Sequence, residues 1–197
     1  MRVAIVCEGA PGGEDQQVLE HLARRIRPGA EVRAFPQGRK PQLIAAAGDV
    51  AQALFAQGFD RVLIMWDVCP RWGKPDGEAV DTLDIQASLL ASVAAGLPCL
   101  FLIAIHKELE AWLLADGGAL SQILGRPAHP AHIRNTKNAD HNANPKKRIE
   151  HLLSTHGKPY TPKSHAVAIA NAIPKNFGML GGLPAFKRFG HALTCAC

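Results

Sequence analysis

Val3-Ala4-Ile5-Val6-Cys7-Glu8 is an unbroken apolar run that ends on a carboxylate, and Val62-Leu63-Ile64-Met65-Trp66-Asp67 repeats that design later in the chain. Apolar residues without polar alternation are expected of strands buried on both faces, as in a parallel sheet. A weaker strand is expected at Glu31–Phe35 and a fourth at Pro98–Ile105. Helical patterns fill the intervals. The first opens on Glu14 and Asp15 and closes on Arg24, Arg25 and Arg27, charges that match the helix dipole, and Pro28-Gly29 stops it. The second runs from Gln42 to near Gln57, with Gly58 as its stop, the third from Glu78 to near Ala95, and another begins near Lys107. Strand and helix in regular alternation predict an α/β fold: a four-stranded, mainly parallel sheet of Rossmann-like type with helices on both faces.

The rest of the chain differs in character. Residues 125–148 are polar and proline-bearing and read as a long excursion from the core. Shorter helices are expected near 146–156, 163–172 and 184–192. The expected organisation is therefore an α/β core over 1–116 and a basic, helical, loop-rich extension over 117–197. A length of 197 residues suits one compact domain in which the extension packs on the core.

Charge follows the same division. The formal total of +5 sums two opposite parts. Residues 1–116 carry 15 acids and 11 Lys/Arg, a net of −4, and residues 117–197 carry two acids (Asp140 and Glu150) against 11 Lys/Arg, a net of +9. A basic block on an acid-bearing half suggests an anionic partner, although a basic soluble surface gives the same count. With 47% hydrophobic and 20% charged residues the chain is not disordered, and no apolar run reaches the ~18–20 residues of a membrane span. The apolar start is too short for a signal peptide. Cys7, Cys69 and Cys99 stand singly in or beside apolar runs, and Cys195 and Cys197 lack a partner pair at zinc-knuckle spacing. Reduced cysteines and a cytoplasmic location are expected.

Ligands of open parallel sheets sit outside the carboxyl ends of the strands. Glu8 follows the first strand there, Asp67 the third, and Glu108 and Glu110 the fourth. Converging carboxylates repel unless protons or a cation neutralise them, and magnesium would do so while clamping a phosphate. The alternative is a set of solvated loop acids without a joint role. If Leu109, Trp112, Leu113 and Asp116 share one helical face, Glu108 and Glu110 flank it about 160° apart, and an ideal helix aims only one of them at a shared metal. Asp116 reads as a cap beside Gly117-Gly118.

These residues carry a resemblance. Cys7-Glu8-Gly9, an aspartate after the third strand, and Glu108-Leu109-Glu110-Ala111-Trp112-Leu113-Leu114-Ala115-Asp116 are similar to the core of an uncharacterised bacterial TOPRIM-like family, related to overcoming-lysogenization-type nucleases. Pro145-Lys146-Lys147, the region from Tyr160 to Lys163, and Leu183-Pro184-Ala185-Phe186-Lys187-Arg188-Phe189 extend the likeness over most of the chain. The resemblance implies a TOPRIM-type core and magnesium- or manganese-assisted phosphoryl chemistry on nucleic acid. It implies Glu8 as the acid/base or metal-bound glutamate, Asp67 as the first metal aspartate and Glu110 as the later acid, and it links the chain to phage defence. One position departs. Where the family has Asp-x-Asp this chain reads Asp67-Val68-Cys69, and a neutral thiol is a poor ligand for magnesium. A single metal on Glu8, Asp67 and Glu110 or Glu108 agrees with that gap, and so does a domain that has lost catalysis.

Lys146-Lys147-Arg148 is the tightest basic cluster and the candidate contact for nucleic-acid phosphates, with Lys158, Lys163, Lys175, Lys187 and Arg188 further on. Other motifs mislead. Asp140-His141-Asn142 lacks the rest of a His-Asn-His nuclease, His129-x-x-His132 has no cysteine partners, and Gly9-Ala10-Pro11-Gly12-Gly13 fits no phosphate-loop fingerprint, which argues against a small-nucleotide-binding protein. That loop instead lets the chain turn sharply beside Glu8. The expected function is a magnesium- or manganese-dependent nuclease or phosphodiesterase acting on DNA or RNA, with Glu8 and Asp67 catalytic. The alternative is a catalytically degenerate module that binds nucleic acid, a partner protein or a second copy of itself.

Overall fold

The computed structural model describes residues 1–69, 77–92, 99–125 and 131–196. Four strands form one sheet: β1 (Arg2–Cys7), β2 (Glu31–Pro36), β3 (Arg61–Asp67) and β4 (Leu100–Ile105). All neighbours are parallel, in the order β2-β1-β3-β4. Among the described residues the helices are α1 (Glu14–Ile26), α2 (Lys40–Ala56), α3 (Gly77–Ala91), α4 (Glu110–Ala115), α5 (Gly117–Leu124), α6 (Pro145–Thr155), α7 (Pro162–Ala172) and α8 (Pro184–Thr194). The fold is the expected α/β sheet, and it is parallel throughout. The Pro98 start foreseen for β4 lies outside the described residues.

Alternate residues of each strand feed two cores, as the pleat requires. Ile5, Leu63, Met65, Ile103 and Ile105 face one layer, and Ala4, Val6, Val62, Ile64 and Trp66 face the other. The first layer takes in α1 together with Trp112, Ile149, Ile169, Phe186 and Phe189 from the second half of the chain. Trp112 is fully buried and meets the edge of Phe186, with ring centroids 5.1 Å apart. The other layer is covered by Leu43, Ala47 and Ala51 of α2 and Ile85 and Leu89 of α3.

Polar tethers join the two halves. The Arg25 guanidinium donates to the carbonyls of Ala170, Ile173 and Pro174 at 2.7–3.0 Å, satisfying the end of α7. Arg61 donates to the carbonyls of Ala192 and Cys195 and so ties the end of α8 to the start of β3. Cys99 is disulfide-bonded, whereas Cys7, Cys69 and Cys195 are free thiols. The expectation of reduced cysteines holds for Cys7, Cys69 and Cys195 and not for Cys99. Cys197 lies outside the described residues. No described helix is long and apolar enough to cross a membrane.

From β1 the chain crosses to β2 on one side and later returns to β3 on the other. The sheet therefore has its topological switch between β1 and β3, where open α/β sheets form their ligand crevice.

Candidate functional site

Two turns bring the acids together. After β1 the chain bends through Gly9, whose φ of +101° suits glycine, and Gly9 and Gly38 exchange backbone hydrogen bonds of 2.7 and 3.0 Å. A Cβ on Gly9 would stand 3.0 Å from Asp15 Oδ2, so the missing side chain leaves room for the first turn of α1 to bring Asp15 over the end of β1. After β4, Lys107 takes a positive φ of +68°, and helix α4 begins only at Glu110. Glu108 thus lies before the helix. The continuous helix expected from near Lys107 is corrected, and the charges of both Glu108 and Glu110 are among those that raise Asp67.

Glu8 Oε1 accepts the backbone N–H of Asp67 at 2.9 Å. Glu8, Asp15 and Asp67, with Cys7, Met65 and Leu109, line a void of about 10 Å³, room for one water-sized sphere. Burial pushes the Glu8 carboxyl above the ordinary carboxylate range, opposed by backbone hydrogen bonds from Asp67 and Lys40 and by the Lys40 charge. Burial raises Asp67 well above that range, and the charges of Asp15, Glu8, Glu110 and Glu108 add to the rise. Asp15 is pushed up to about 7, by burial first and then by Glu110, Glu14 and Glu8. Glu110 is also raised by burial, although Lys146 opposes the shift. The carboxylates of Glu8, Glu14, Asp15, Asp67, Glu108 and Glu110 therefore share one electrostatic neighbourhood.

Residues from the extension close this neighbourhood. Lys146 Nζ stands 3.6 Å from Glu110 Oε1, and the Tyr160 hydroxyl donates to the same oxygen at 3.5 Å. Against the cost of burial, Glu110, Glu14, Glu108 and Asp15 hold the Lys146 ammonium above its usual range. Burial and the charge of Glu110 keep the Tyr160 phenol protonated. Lys163 Nζ reaches the glycine loop, 3.8 Å from where a Cβ on Gly12 would stand. The structure divides the expected basic triplet: Lys146 is half-buried against the acids, while Lys147 and Arg148 are exposed.

Among the described residues, no three His, Cys, Asp or Glu side chains stand together closely enough to form a ready-made metal site. The donors are nevertheless of the type magnesium takes. They are hard carboxylate oxygens, and Glu108 Oε2 is buried with no hydrogen-bond partner. Magnesium commonly uses one or two carboxylates and keeps several waters, so the residues fit the ion without a three-sided cage.

Sequence reasoning missed Asp15, Glu14, Tyr160 and Lys40. Lys40 is 1% exposed, and its ammonium donates to Asp81 Oδ2 at 3.0 Å and to the Val68 carbonyl at 2.9 Å, directly behind Glu8. Asp116 is a cap as expected, accepting the Ala119 N–H at 2.8 Å. Asp140 is buried with His141 Nε2 3.9 Å away, and His132 is exposed. His129, Pro70 and Trp72 lie outside the described residues. Comparison with known proteins finds no matching family model, no similar curated protein and no matching solved structure.

Proposed function

We propose that the cleft at the ends of β1, β3 and β4 is the centre of a magnesium- or manganese-dependent phosphodiesterase acting on nucleic acid. The observation that carries this function is the grouping of Glu8, Asp15, Asp67, Glu108 and Glu110 at the switch point of the sheet, facing Lys146. Glu8, Asp15 and Asp67 line the small void and are the residues that would hold the cation, with the charges of Glu110 and Glu108 acting on Asp67. A bound divalent ion would supply charge neutralisation and a water of lowered pKa. Lys146 would hold a phosphate oxygen, and Tyr160 would orient Glu110 while remaining a proton donor. Lys147 and Arg148 would grip the backbone outside the cleft without reading sequence.

The test is hydrolysis of single- and double-stranded DNA and RNA with magnesium or manganese. Glu8→Ala and Asp67→Ala should each abolish cleavage at unchanged fold. Nucleic acid that binds and stays intact with either metal, with affinity unchanged in both variants, would overturn the enzymatic function.

Cys69 favours a second reading. At the position of a second aspartate a thiol weakens magnesium binding, and a non-catalytic module that binds nucleic acid or protein is what that loss would leave. Such a module would bind nucleic acid equally well in EDTA. Cytoplasmic action and a role in phage defence belong to the proposal through the sequence resemblance alone.

A further inference from the structure

The edge strand β4 leads to an inference independent of the acid cleft. β4 pairs with β3 on one side and ends the sheet on the other. The alternation of a parallel ladder turns Cys99, Phe101, Ile103 and Ile105 toward β3, as the bonds from Val62 to Cys99 and from Val68 to Ile105 show. The backbone groups of Leu100, Leu102 and Ala104 then point outward. Arg188 takes the Ala104 carbonyl at 3.0 Å and blunts one end of the edge. Among the described residues, no partner takes the outward groups of Leu100 and Leu102.

Beside this edge lies a groove of about 390 Å³ between β4 and α8. Phe101 and Ile103 of β4 and Ala192 of α8 give it an apolar lining on one face of the sheet, and Lys187, Arg188 and His191 add basic groups. Leu102, whose side chain lies on the opposite face, borders it. Glu78 lies 3.4 Å from Arg188 and 2.9 Å from His106, but neither Lys187 nor His191 has an acidic partner among the described residues. Exposed edge amides are templates for strand addition, and natural proteins usually cover or blunt them. Among the described residues only one end is blunted.

We propose that β4 docks an extended acidic segment of a partner protein, which adds as a fifth strand whose side chains alternate between the α8 face, beside Phe101, and the opposite face, beside Leu102. Its carboxylates face Lys187 and His191. Charge decides against a second copy as the occupant, because two-fold pairing of β4 with itself would bring the two sets of basic groups together. The unpaired amides decide against nucleic acid, which needs cations but has no ladder to form with backbone N–H and C=O groups.

The test uses the full chain and a fluorescein-labelled peptide of about eight alternating valine and glutamate residues, a length that spans β4. Saturable binding is expected, with slowed hydrogen exchange at the amides of Leu102 and Ala104. The surface double variant Lys187→Glu/His191→Glu should weaken binding about tenfold or more. A peptide N-methylated at alternate residues should bind at least about tenfold more weakly, because it cannot form the ladder. Absence of saturable binding below about 1 mM would overturn the proposal, as would equal binding of the N-methylated peptide. Two further results would replace it: single-stranded DNA protecting these amides where the peptide does not, or concentration-dependent dimerisation protecting them without peptide.

Discussion

Glu8 accepts the backbone N–H of Asp67 through Oε1 at 2.9 Å, which joins the ends of β1 and β3 at the point where the sheet reverses its winding. The bond orients Glu8 without consuming Asp67's own carboxylate. That carboxylate then meets the charges of Asp15, Glu110 and Glu108. The fold thus concentrates negative charge at its switch point and offers Lys146 as the nearby cation from the extension. Concentrated charge is costly to bury, and the cost can be read as a dependence of stability on pH and on divalent ions.

The first prediction concerns pH. Asp15 is pushed up to about 7 from an ordinary 3.8, so between those values the folded protein holds a proton that the unfolded chain has released. The native state then binds more protons through Asp15, so this group's contribution to stability is fully present below about 4, falls as pH rises, and is lost above about 7. In EDTA, Asp15→Asn should flatten the part of the slope between about pH 5 and 8, and should raise the melting midpoint at pH 8 by about 3 °C or more. Calorimetry of the two proteins checks this, and parallel pH profiles would count against it.

A second prediction separates members of one basic cluster. Lys147 and Arg148 are exposed, whereas Lys146 stands 3.6 Å from Glu110 inside the cleft. Lys147→Ala and Arg148→Ala should each lower the salt slope of nucleic-acid binding by about 1 and leave cleavage by bound enzyme nearly unchanged. Lys146→Ala should instead reduce the single-turnover rate by about tenfold or more. Equal effects of the three substitutions on both measurements would show that the cluster acts as one undivided patch.

How far these elements were legible in the sequence follows from what signals them. The four strands are plain because apolar runs are closed by glycine, proline or acids, and Glu8 and Asp67 follow from their place after those runs. The late start of α4 was not legible because the deciding event is a positive φ at Lys107, a conformation that lysine does not announce. Asp15 was overlooked because an acid in a first helical turn is already explained by the helix dipole. The only pointer to a further role was the glycine loop that returns α1 over β1. Lys40 carried no signal at all, since lysine at a helix start ordinarily lies in solvent.

Lys40 supports the third prediction. Its ammonium and the Asp81 carboxylate are both nearly inaccessible, at 1% and 4% side-chain exposure, and together they join α2, α3 and the end of β3. Removing one partner of a buried pair strands the other charge, so Lys40→Met should cost about 3–5 kcal/mol in urea unfolding. The double variant Lys40→Met/Asp81→Leu should recover most of that loss, because apolar pairs of similar volume commonly replace buried ion pairs at little cost. Additive losses would mean that packing around the two side chains, rather than their charge, holds the helices together.

The last prediction uses the departure at Cys69. Its backbone N–H is held by the Lys107 carbonyl at 2.9 Å, so the chain path here is fixed by the turn that also presents Glu108. Cys69→Asp adds a hard oxygen donor next to the loop that follows Asp67, at the position where the resembling family has its second aspartate. If the cleft binds magnesium, the substitution should tighten that binding by about tenfold or more, read by calorimetric titration, and should increase the thermal stabilisation that magnesium gives. The same substitution should lower stability in EDTA, because it adds another carboxylate to an acidic neighbourhood. The opposite signs with and without the ion distinguish a cation site from a set of acids whose only shared property is mutual repulsion. A loss of stability that magnesium does not reverse would leave the cleft without its proposed cation.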